Sequence, residues 1–86
     1  MNNTLPRDED FGCGWIVREG GCLWLDIYKN QSTFSNLFRS AKVPPKSIIF
    51  VIEPCVTHKG YVKVLWNGRF AMVHVHVLQA RCEPLP

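Results

Sequence analysis

Two strand-like runs, Tyr61 to Trp66 and Arg69 to Val73, are separated only by Asn67-Gly68. That dipeptide most readily takes the two positive φ angles of a type I′ turn, so the runs are predicted to pair as one antiparallel hairpin. Upstream, Ser47-Ile-Ile-Phe-Val-Ile-Glu53 is β-branched and aromatic and is bounded by Pro45 and Pro54, which makes it a third strand. Gly14 to Glu19 and Cys22 to Tyr28 read as two more, joined through Gly20-Gly21. In the second of these, Leu23, Leu25 and Ile27 alternate with Trp24, Asp26 and Tyr28, so the aliphatic set is expected to face a core.

The remaining segments carry weaker signals. Lys29 to Lys46 has no long apolar alternation and is expected to be one long loop, in which Ser32 or Thr33 caps a short helical turn through Phe34, Leu37 and Phe38. Pro44-Pro45 then forces an extended chain. Pro54 to Gly60 reads as a loop, and Leu78 to Arg81 as a final short strand. Trp15, Phe50 and Phe70 are expected in the core, and Trp24, Tyr28, Tyr61 and Trp66 on the outside. The expected architecture is all-β, a barrel of five to six strands over residues 13–82, with an acidic segment (1–12) before it and a tail (83–86) that cannot join a central strand.

With 86 residues the chain suits one domain, small enough that folding buries only about two thirds of its unfolded surface, so association with a partner would add stability. No apolar run approaches the roughly 20 residues of a membrane-spanning helix, and no membrane partner is expected. The first ten residues are polar and acidic, without the basic and apolar regions of a secretory signal, which points to the cytoplasm. The net charge of +3 is uneven: residues 1–28 hold two Arg against five acids, and residues 29–86 hold eight Lys/Arg against two acids. Lys42, Lys46, Lys59, Lys63, Arg69 and Arg81 are therefore candidates for a face that neutralises phosphates, with Tyr61 and Trp66 available to stack on bases. A solvated surface with no such partner is the competing reading of the same charges.

Cys13, Cys22, Cys55 and Cys82 include no Cys-x-x-Cys, and in a reducing cytosol free thiols are expected ahead of a disulfide or a metal site. The residue types of a metal site occur as Cys55-x-x-His58 and His74-x-His76, the latter sharing one face if it lies on a strand. The plainer reading puts His74 and His76 on an exposed strand face, alternating with buried Val73, Val75 and Val77. Cys55 and His58 also have the makings of a thiol-base dyad, but no third group in the sequence orients it. No catalytic, metal or cofactor assignment follows, and the chain is expected not to be an enzyme.

Val43-Pro-Pro-Lys-Ser-Ile-Ile-Phe-Val-Ile-Glu53 followed by Gly60-Tyr-Val-Lys-Val-Leu-Trp-Asn-Gly-Arg69 resembles the bacterial SH3 pattern of a turn, an apolar strand ending in an acid, and a Tyr/Trp-Val-Lys-Val hairpin. The order of parts across about residues 22 to 81 is similar to the SH3-like barrel group and its Sm-like relatives, including small proteins of tailed phages and marine metagenomes. The Ala-Leu-Tyr-Asp-Tyr stretch and Trp-Trp pair of peptide-binding SH3 domains are missing, so recognition of proline motifs is not implied. The resemblance implies a non-catalytic module that forms a homo-oligomer and binds RNA or single-stranded DNA. The alternative is a structural or protein-interaction component, such as a phage accessory or virion protein, located in the host cytoplasm or the virion.

Overall fold

The computed structural model describes residues 11–20, 22–33 and 37–85, so most of the acidic N-terminal segment and Phe34 of the expected helical turn lie outside the described residues. Seven strands and one short helix follow in chain order: β1 (Cys13–Val17), β2 (Leu23–Tyr28), β3 (Phe38–Val43), β4 (Ile48–Pro54), β5 (Tyr61–Trp66), β6 (Arg69–His74), α1 (Val75–Arg81) and β7 (Cys82–Pro84). The hairpin forms as its turn dictates. Asn67 and Gly68 have φ of 54° and 75°, and β5 and β6 pair along their full length, from Trp66 opposite Arg69 to Tyr61 opposite His74.

All strands join one antiparallel sheet in the order β3-β2-β6-β5-β4-β1-β7. Laid flat at a strand spacing of about 4.8 Å, its outer strands would stand roughly 29 Å apart. Yet Leu23, Leu25 and Val43 near one end share a single buried cluster with Trp15, Val17 and Cys82 near the other. The sheet therefore curls over its own apolar face, and α1, which packs against β2, β6 and β7, covers the gap with Val75 and Leu78. No pairing joins β3 to β7 among the described residues, so the fold is a compact, curled all-β sheet left open at that seam.

The alternation read in β2 holds: Leu23, Leu25 and Ile27 are buried. Three expectations need correction. Phe38–Val43, expected inside a long loop, is a strand paired with all of β2, from Leu23 opposite Val43 to Tyr28 opposite Phe38. Only Ala41 and Val43 carry its inward signal, too little to stand out in sequence. In the turn before it, Asn30 Oδ1 accepts from the amides of Ser32 (3.0 Å) and Thr33 (3.1 Å), while the amides that a cap from either of those residues would reach lie outside the described residues.

The second correction concerns Leu78 to Arg81, which lies in α1 and not in a strand. His74 caps this helix, its Nδ1 accepting from the amide of His76 at 3.1 Å. Val75 and Leu78, three apart, then face the core, and the Val-His-Val alternation that resembled a strand is part of a helical turn. His74 and His76 therefore do not share a strand face, and Val77 is exposed. The final strand begins only at Cys82, so β7 takes in Glu83 and Pro84 and pairs with β1 at the edge of the sheet.

The third correction is an exchange of aromatic positions. Phe50 is 49% exposed, whereas Tyr28 is 3% exposed although its parity points it outward. A second apolar cluster covers it: Tyr28, Cys55 and Met72, flanked by Phe38, Tyr61 and Phe70, sit on the outer face beneath the 55–60 loop. Trp15 is buried as expected, and Trp24 is 56% exposed.

Candidate functional site

Strand parity places a group of cations at one end of the curled sheet. Ile27 in β2 faces the core and lies opposite both Arg39 of β3 and Ala71 of β6. Arg39, Lys29 two residues beyond Ile27, and Arg69 two residues before Ala71 all have the same inward parity, but at positions where the strands leave the core. Their side chains meet at the rim. Ile27, Tyr28, Lys29, Arg39 and Arg69 line a cavity of about 180 Å³ there. None of the three cations makes an ion pair among the described residues, and no carboxylate is in the lining. Trp66 lies across from Arg69 in the hairpin and packs half-buried against the core.

Of the residues chosen from sequence, only Arg69 lines this rim. Lys42 projects from the outer face of β3, opposite exposed Trp24. Lys46 sits in the turn before β4, 2.7 Å from Glu19. Lys59 is on the exposed loop before β5, and Arg81 ends α1. Lys63 lies on the outer face of β5, paired with Glu53 of β4 at 3.2 Å. Tyr61 is drawn into a chain of edge-type ring contacts, with His58 at 6.1 Å and His74 at 5.1 Å between centroids. Lys29 and Arg39 were missed because their convergence depends on β3, which the sequence pattern did not reveal.

A second concavity, of about 170 Å³, opens on the outer face and is lined by Tyr28, Thr33, Glu53 to Thr57 and Lys63. Within this lining, Cys55 Sγ lies 3.6 Å from Tyr28 Oη and 3.6 Å from Thr57 Oγ1, and 3.9 Å from His58 Nδ1. Thr57 Oγ1 and His58 Nδ1 are 2.9 Å apart. Burial alone would raise the Cys55 thiol, but hydrogen bonds from Thr57, Tyr28 and His58 to the sulfur outweigh it and bring it down to about 7. Burial and the neighbouring sulfur push the Tyr28 hydroxyl in the opposite direction, above its ordinary value. All four cysteines are thiols outside any disulfide, and no three His, Cys, Asp or Glu residues are grouped for a metal ion among the described residues.

The outer face also carries an uncovered apolar row. Ile16 pairs with Ile48, and Phe50 with Leu65, across β1, β4 and β5, while Leu85 reaches the same area beside Gly14. Ile48, Phe50 and Leu85 are exposed. The chain matches no protein-family model, no curated protein and no solved structure.

Proposed function

We propose that this chain is a non-catalytic SH3-like or Sm-like small-barrel module that self-associates and binds the phosphate backbone of RNA or single-stranded DNA. The observation that carries the reading is the rim cavity, where Lys29, Arg39 and Arg69 converge without a carboxylate partner among the described residues. The three cations are exposed and make no ion pair among the described residues, so an entering phosphate gains charge-assisted hydrogen bonds without displacing an internal ion pair. The curled sheet, the tight β5–β6 hairpin, the helical turn and the short last strand returning to β1 support the barrel reading. The uncovered row of Ile48, Phe50 and Leu65 supports self-association, because burial against a second copy would remove it from water.

The test is fluorescence anisotropy of short mixed-sequence RNA and single-stranded DNA over a salt series. Three phosphate contacts on a single strand predict a slope of about −2 in log K against log salt. Arg39→Glu and Arg69→Glu should each weaken binding about tenfold or more at low salt. Lys46→Glu, away from the rim, should cost far less. Binding that ignores salt, or survives both rim substitutions, would reject the nucleic-acid reading. The same apolar row then favours the second reading, a structural component that docks on another protein.

A further inference from the structure

We propose that Cys55 is a modification site, a thiol held ready to take a small aliphatic group in disulfide linkage within the outer-face cleft. Cys55, 9% exposed, lines a cleft of about 170 Å³, and the surroundings of its sulfur come from separate parts of the chain: Tyr28 from β2, Thr57 and His58 from the loop, with Glu53 of β4 and Lys63 of β5 on the cleft wall. With sulfur as a thiolate, the Tyr28 and Thr57 hydroxyls both donate to it, and His58 is within reach to take up or return its proton. The charged groups on the wall offset each other, since Lys63 pairs with Glu53 at 3.2 Å. What sets the thiol apart is therefore its ring of hydroxyl and imidazole groups rather than a nearby cation.

The other thiols lack this arrangement. Cys82 is buried in the core, where burial pushes its thiol up to about 11. Cys22 is exposed, and Cys13 is half-buried beside the core. Neither lines the cleft.

The reaction is thiol-disulfide exchange with a low-molecular-weight disulfide. The Cys55 proton leaves to solvent or His58, and the thiolate attacks one sulfur of the reagent. The reagent's S–S bond breaks, a Cys55–S–S–R bond forms, and the second half departs as a thiolate that takes up a proton. The disulfide supplies all the oxidising equivalents. Tyr28 also lines the cationic rim cavity, so an adduct on Cys55 would press on a wall common to both sites.

The reduced full chain would be treated with limiting 2-hydroxyethyl disulfide between pH 6 and 9, and the occupancy of each cysteine followed by peptide mass spectrometry. The expected result is that Cys55 reacts first. At pH 6.5 it should react about fivefold faster in the native protein than in the urea-unfolded chain, the larger thiolate fraction outweighing its lower intrinsic nucleophilicity. Thr57→Val should remove that advantage and move the midpoint of the rate profile upward, and His58→Gln should do so in part. The proposal fails if Cys13 or Cys22 takes the reagent while Cys55 does not. It fails equally if native Cys55 reacts no faster than the unfolded chain, a comparison that decides the matter even where a variant does not fold.

Discussion

The side chain of Gln31 pairs with the backbone of Phe70 as a neighbouring strand would. Its Oε1 accepts from the Phe70 amide, while its Nε2 donates to the Phe70 carbonyl at 3.0 Å and to the Tyr28 carbonyl at 2.7 Å. One carboxamide thus ties the end of β2 to the start of β6. Those are the two strand ends that bring Lys29 and Arg69 to the rim cavity.

Gln31→Ala removes three hydrogen bonds to the backbone at a half-buried site and is expected to cost about 1–3 kcal/mol, read from urea unfolding. Gln31→Glu keeps the acceptor but sets a carboxylate oxygen against the Tyr28 and Phe70 carbonyls, so it should cost at least as much as Ala. A loss within error for Ala would show that the sheet end is held by other contacts.

Lys46 lies at φ 70°, in a region that costs a side-chain-bearing residue about 1–2 kcal/mol, against the roughly 0.5–1 kcal/mol entropic cost of glycine. Its amide donates to the Val17 carbonyl at 2.8 Å, a bond that glycine retains. The ion pair to Glu19 is exposed on both sides and contributes little. Lys46→Gly is therefore expected to stabilise the fold by about 0.5–1 kcal/mol, measured as a higher urea midpoint at unchanged slope.

The two perturbed thiols give stability opposite dependences on pH. Cys82, raised by burial to about 11 from an unfolded value near 9, stays neutral in the folded chain while the unfolded chain ionises. Its contribution is complete below pH 9 and is lost as pH rises towards 11. Cys55, held down at about 7, binds its proton more weakly when folded, so its contribution is present above pH 9 and is lost as pH falls through 7. Subtracting the melting-temperature profile of Cys82→Ala from that of wild type should leave a decline from pH 9 to 11. The corresponding difference for Cys55→Ala should rise from pH 7 to 9.

The hairpin and β2 were legible because each rests on a local rule. Asn67-Gly68 admits almost one turn type, and Leu23, Leu25 and Ile27 repeat with the period of a half-buried strand. β3 was hidden because its partner, not its own composition, makes it a strand: all six of its residues pair with β2, yet only Ala41 and Val43 have the inward apolar character that periodicity detects. The rim site was lost with it, since Arg39 joins Lys29 and Arg69 only through that register. Phe50 and Tyr28 exchanged places for a related reason. Strand parity says which face a residue takes, but the 55–60 loop decides which part of the outer face is covered.

Phe50 lies on the outer face of β4, with Leu65 opposite on one side and Gly14 on the other, and half of it is open to water. Replacing it with Glu leaves the buried Ile49 and Val51 on either side untouched, so the fold should lose no more than about 1 kcal/mol, the span of strand propensities. A charge in the middle of the apolar row would nevertheless be costly to bury against a second copy, where it would find no partner. Light scattering over a concentration series is expected to show wild type gaining mass and Phe50→Glu remaining monomeric, with rim binding of RNA retained per chain. Association unchanged in the variant would move the self-contact to the edges of β3 and β7, which are open among the described residues; there Lys42→Pro, which removes an edge-facing strand donor, becomes the substitution that separates the copies.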